Sequence, residues 1–203
     1  ISILVSNINQ KESNLPKDYI NYDLIAGVGE KDILFSDNNS FNNLNNFHNK
    51  SKDWLFGYLS YDLKNEIEDL TSDNIDNFNA DNMSFFIPEY VLLLKNDQLQ
   101  IETYHSKYKC DKFIRELDFS NLQHSVVDVE FSRRDEKEVY LQTVNKIKTH
   151  IKRGDIYELN YCQEFYSNET KILPEVIFFE LNELMQTSFS SFLKLKDKYI
   201  LSV

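Results

Sequence analysis

Only two cysteines, Cys110 and Cys162, occur in 203 residues, and no CxxC spacing joins them. Neither a disulfide framework nor a zinc knuckle can be built from such a pair, and a reducing cytoplasm fits the usage. Cationic charge is also scarce: 22 Lys and Arg stand against 33 Asp and Glu, a formal net charge of -11. Nucleic acid and anionic lipid are bound mainly through cationic side chains that displace counterions, so nucleic acid and membrane surfaces are excluded as partners. No apolar run approaches the roughly 18 residues of a spanning helix. The opening "ISILVSNINQKE" has no cationic leader and no small-residue cleavage site. His48, His105, His124 and His150 fall in different stretches with no spacing that would gather a metal, so no metal site is proposed from them. "GVGE" at 27–30 lacks the third glycine of a nucleotide fingerprint and leads into a strand, which makes it a turn.

What is present is apolar material for a core: 41% hydrophobic residues, 14% of the chain aromatic, enough for one good-sized domain or two small ones. Residues 1–35 alternate short apolar runs with turn residues and predict strands of an antiparallel sheet. "DNNSFNNLNNFHNK", 37–50, holds seven asparagines and predicts an exposed loop with room for one helical turn. A buried strand over 54–60 should run into a helix, and 83–105 should form a hairpin of two apolar strands joined at "KND", with Pro88 marking an edge or bulge. A short helix is expected over 109–118 and a strand over "HSVVDVEF", 124–131.

The strongest local pattern predicts a helix over about 133–153. Ser132 and Asp135 resemble a capping box, and Tyr140, Val144, Ile147 and Ile151 recur on one face. Lys148, Lys152 and Arg153 suit the negative end of the macrodipole, and Gly154 can take the left-handed position that ends a helix, so "RGD" is helix punctuation. Beyond it the period becomes two. A strand over 156–165 would bury Tyr157, Leu159, Tyr161 and Phe165 and turn Glu158, Asn160, Cys162 and Glu164 to the other side. By pattern alone that polar face fits bulk solvent as well as it fits a site. A helix from Pro174 to Met185 and a closing hairpin turning at Lys196 and Asp197 complete the reading. The start on Ile1 and the close inside an apolar strand lead us to expect that both ends are cut.

"IKTHIKRGDIYELNYCQEF" resembles I-x-x-G-D-I-Y-Q-V-N-L-S-Q-R-F of chorismate-utilising enzymes, the component I subunits of anthranilate and aminodeoxychorismate (para-aminobenzoate) synthases. "FGYLSYDLKNEIEDL" is similar to their G-Y-x-G-Y-D segment, "FFIPEYVLLLKND" to the strand before their central hairpin, and "SFSSFLKLKDKYILSV" to their P-F-S-A-F-L hairpin. The resemblance covers most of the chain from about residue 54 onward.

It implies an α+β fold of largely antiparallel, sandwich-like sheets with helices packed outside, the incomplete half of a larger chorismate-binding fold. Residues 1–128 would be the N-terminal region of component I and 129–203 the start of the chorismate-binding domain. It implies chorismate as substrate, ammonia from a glutamine amidotransferase subunit, and Mg2+ in the full-length enzyme on ligands outside this chain. Glu158, where water-adding relatives carry lysine and ammonia-adding ones usually glutamine, would stand on the active-site wall in a catalytic role, with Asn160 and Cys162 binding substrate. Phe189 and Ser190 match the hairpin side of a regulatory aromatic-ligand pocket, although Ser188 replaces its proline and "DLIAGVG" lacks its serine; Phe189 fits a core position equally well. "SFSSFLKL" favours the para-aminobenzoate branch over anthranilate synthase. From a different class, a free-standing ligand-binding or subunit-docking domain also accommodates a chain with no complete catalytic set.

Overall fold

The computed structural model describes residues 1–7, 22–71, 74–117, 128–168, 170–185 and 187–203. They divide into two compact units, Ile1–Leu122 with Pro174–Val203, and Gln123–Leu173. These units are cut differently from the division at 128/129 expected from the sequence, because the C-terminal hairpin pairs back onto the first strand of the chain.

In the larger unit, β1 (Ser2–Ser6), β2 (Leu24–Val28), β6 (Tyr90–Lys95), β7 (Gln98–Thr103), β10 (Phe189–Leu195) and β11 (Lys198–Ser202) form one antiparallel sheet in the order β11-β10-β1-β2-β6-β7. A second sheet orders β3 (Asp32–Ser36), β5 (Met83–Ile87) and β4 (Phe56–Leu59) as β3-β5-β4. Phe56 and Phe86 of the short sheet meet Val91, Leu93, Leu193 and Leu195 of the long one in a single buried cluster, which makes the pair a sandwich. Gly27 is what lets them close. A Cβ there would lie 2.7 Å from the Phe56 ring.

Helices cover the outer face of the long sheet. α2 (Lys107–Glu116) docks by stacking Phe113 on Tyr90, ring centroids 4.1 Å apart. α4 (Pro174–Met185) buries Val176 and Phe178, the latter 5.6 Å from the Phe192 ring on β10. The mixed helix and antiparallel-sheet class expected from the sequence is the class observed.

Several local expectations are corrected. The asparagine-rich stretch forms a full helix, α1 (Ser40–Ser51), not a loop. Its low intrinsic propensity is overridden by one tertiary contact: Glu66 accepts the Ser40 backbone N–H at 2.7 Å and the Ser40 hydroxyl at 2.5 Å, placing a carboxylate on the positive helix end. We expect Glu66→Ala to cost about 1 to 2 kcal/mol in chemical denaturation, as loss of an N-cap does, with faster hydrogen exchange confined to α1. The helix expected after the 54–60 strand is a short 3-10 segment, Tyr61–Glu66, which carries that glutamate. The 83–105 hairpin is three strands, since the chain crosses between sheets at Pro88 and Glu89; "KND" does join β6 to β7, with Asn96 and Asp97 both left-handed.

In the smaller unit, α3 (Lys137–Arg153) ends as expected at Gly154, φ 80°, with the Gly154 N–H donating to Ile151 and the Asp155 N–H to His150. The capping box is not formed. Ser132 instead belongs to a two-residue strand β8 (Ser132–Arg133) paired with β9 (Phe165–Tyr166), and Asp135 accepts a hydrogen bond from the Tyr161 hydroxyl. Residues 128–131 have no strand structure, and the rest of the strand expected over 124–131 lies outside the described residues. The expected strand 156–165 is also absent except at its last residue, because β9 finds only two partner residues on β8.

Candidate functional site

An apolar concavity lies in the larger unit, and strand register builds it. Leu4 on β1 stands opposite Ile25 on β2 and Ser191 on β10, and Ser191 stands opposite Ser202 on β11. Antiparallel partners share a face, so these four form one row across the inner side of the long sheet; Ser6 and Phe189, also partners, form the next. The Leu193–Leu195 half of β10 is buried under the short sheet, whereas Phe189 is left 56% exposed. The bare half of the face, with Trp54 and Tyr22 beside it, encloses a cleft of about 560 Å³.

Trp54 is held in place by its neighbours. Its indole N–H donates to Glu102 at 3.0 Å and its ring stacks on Phe56 at 6.3 Å, so the glycine that admits Phe56 at position 27 also sets this wall. The Ser6 hydroxyl is buried without a hydrogen-bond partner among the described residues. No charged side chain lines the cleft among the described residues. Such a lining can hold an apolar or aromatic body and offer hydroxyls to it, but supplies no acid or base.

Phe189 and Ser190 therefore both border this cleft, but differently. Phe189 presents its ring, while the Ser190 hydroxyl turns to α4 and donates to Asn182 at 2.5 Å, in a network with Asn7. Ser191 is the serine on the cleft side. Sequence reasoning missed Leu4, Ile25, Trp54 and Ser191; the pairing of β1 with β2 and β10 places three of them, and the Glu102 bond and Phe56 stack place Trp54.

In the smaller unit the segment after Gly154 has no regular structure, and Glu158, Asn160 and Cys162 are exposed. The set expected to be buried is not: Tyr157 is 92% and Phe165 62% exposed. Only Tyr161 docks. Its hydroxyl donates to Asp135 at 2.8 Å, its ring stacks 5.3 Å from Tyr140, and the Asp135 bond together with partial burial raises the phenol above its ordinary range. Glu164 does not share the solvent-facing role of the three upstream residues. Arg134 donates to it at 2.7 Å and holds its carboxyl below the usual carboxylate value, so the pair persists above the unfolded pKa and is lost as pH falls through the lowered folded one. A carbon-13 titration of Glu164 should show a midpoint below that of an unstructured glutamate; an ordinary midpoint would mean the ion pair is absent in solution.

Among the described residues no three His, Cys, Asp or Glu side chains converge to hold a metal ion, and no helix is long and apolar enough to cross a membrane. No curated protein matches the chain. The family model described as chorismate binding enzyme matches residues 18–203, extending the likeness well ahead of residue 54 and over every strand except β1, α1–α4 and the Gly154 segment. The chain belongs to the chorismate-binding enzyme family.

Proposed function

We propose that this chain is the N-terminal part of a component I subunit of aminodeoxychorismate (para-aminobenzoate) synthase, acting in the cytoplasm on ammonia delivered by a glutamine amidotransferase. The observation that carries the reading is the family match over residues 18–203. The branch rests on the hairpin "SFSSFLKL" and on Glu158, a carboxylate where water-adding relatives use a lysine base. In the reaction a ring C–N bond forms as the ring hydroxyl departs, and that hydroxyl leaves as water with a proton from ammonia.

On this reading the magnesium of the proposed enzyme, and its screening of the chorismate carboxylates, belongs to residues outside this chain. The exposed side chains of Tyr157, Leu159, Phe165 and Leu173 support a cavity completed from outside, since a fully solvated unit gains nothing from presenting them. On this reading Glu158 orients ammonia or the departing hydroxyl, and Asn160 and Cys162 contact the substrate.

The test is an assay of this chain, and of the full-length polypeptide that contains it, with chorismate, Mg2+ and ammonia. Aminodeoxychorismate should form only with the longer protein; anthranilate as product would move the reading to the sister branch, and an inert full-length protein would overturn it. In the active protein Glu158→Ala should lower turnover at least about tenfold, roughly 1.4 kcal/mol, with the fold unaffected because the residue is exposed. An unchanged rate removes Glu158 from the active-site wall.

A second reading is favoured by the cleft bordered by Phe189, Trp54 and Ser191: a ligand-binding module that holds an aromatic amino acid such as tryptophan. Calorimetry of the chain with L-tryptophan tests it, with Ser191→Leu expected to abolish the heat. No heat with the unaltered chain ends this reading.

A further inference from the structure

We infer that the interior of the sandwich holds one structural water molecule on Ser84. Ser84 is the central residue of a three-strand row, Phe35 on β3, Ser84 on β5 and Tyr58 on β4, two positions along from the Phe56–Phe86 pair and on the same inner face. Its neighbours across the sandwich are Leu193, Leu195 and Ile200, which lack polar side-chain atoms. Ser84 is 0% exposed, and its hydroxyl has no hydrogen-bond partner among the described residues.

A buried hydroxyl without a partner is costly, and interiors satisfy such groups with protein atoms or ordered water. Two observations favour water. Because serine is smaller than the rings beside it, the row leaves a cavity of about 30 Å³, which is room to admit a water. The adjoining Tyr58 hydroxyl donates to the Asp81 carbonyl at 2.8 Å, so its proton is committed and its lone pairs remain as acceptors. A water there can accept from Ser84 and donate to Tyr58. The β10–β11 turn closes the outside: the Lys196 ammonium lies 3.6 Å from the Phe35 ring centroid, and Lys198 donates to the Phe78 carbonyl at 2.8 Å.

Water-to-protein cross-relaxation in the unaltered chain tests the site. Nuclear Overhauser transfer from water to the methyl protons of Leu193, Leu195 and Ile200, which carry no exchangeable proton of their own, with the sign of a water held longer than about a nanosecond, is expected. Absence of that transfer, or its fast-exchange sign, overturns the proposal. As a second measurement, Ser84→Ala should lower Tm by about 2 to 4 °C, the scale for a protein of this size losing one internal hydrogen bond. An unchanged or raised Tm would show that the hydroxyl had no partner to lose.

Discussion

Phe86→Ala is expected to lower unfolding free energy by about 3 to 5 kcal/mol, the range for removing a buried aromatic side chain. Phe86 is 1% exposed at the centre of the short sheet, its ring 5.9 Å from Phe56, inside the cluster that joins both sheets. The opposing strands are locked by long register runs on either side, so the hole has little means of collapsing. Against total stabilities of about 5 to 15 kcal/mol for such domains, this is a large fraction, and the urea midpoint should fall clearly. Urea denaturation followed by near-ultraviolet circular dichroism measures it, and a loss below about 1 kcal/mol would mean that the two sheets do not share this core.

Gly57→Ala is the second large effect, and it gives a physical reason for the glycine of the G-Y-L-S-Y-D stretch. Gly57 sits in β4 opposite Phe85, and a Cβ there would lie 1.9 Å from the Ser84 carbonyl oxygen and 2.7 Å from the Phe85 Cα. Both atoms are backbone. No rotamer relieves the clash; either β4 moves off β5 or the strand twists, and the Phe56 contact with Gly27 goes with it. We expect a loss of at least about 3 kcal/mol, the upper range for overpacking. Gly27→Ala should be milder, because the atoms it meets belong to a side-chain ring that can shift. Equal stability of Gly57→Ala and the unaltered chain in the same urea experiment would remove the steric reading of that glycine.

The elements legible in the sequence are those whose cause is local. α3 ends at Gly154 because a glycine reaches the left-handed region without strain, and the β6–β7 turn at Asn96 and Asp97 and the hairpin turn at Lys196 follow from residues read directly off the chain. α4 begins on Pro174, where a missing N–H is harmless. The illegible ones depend on distant partners. Nothing within 37–50 announces α1, since the carboxylate that anchors it arrives from Glu66. The alternation over 156–165 is a valid strand pattern, yet a strand needs neighbours, and beyond Arg133 and Ser132 no partner is offered.

The candidate site divides along the same line. Phe189 and Ser190 could be named from a motif in one hairpin, but which of 190 and 191 turns its hydroxyl to the cleft was settled by the pairing of β10 with β1 across the length of the chain.

By itself, then, the sequence determined an acidic, antiparallel α+β protein of chorismate-binding ancestry, because composition, turn residues and short motifs act within a few positions of where they are written. Only the tertiary structure decided that the first strand lies beside the C-terminal hairpin, that a serine-lined cleft opens where the shorter sheet stops, and that Glu158, Asn160 and Cys162 after Gly154 are exposed. Those outcomes depend on hydrogen-bond partners and apolar surfaces brought together from opposite ends of the chain, which no local pattern specifies.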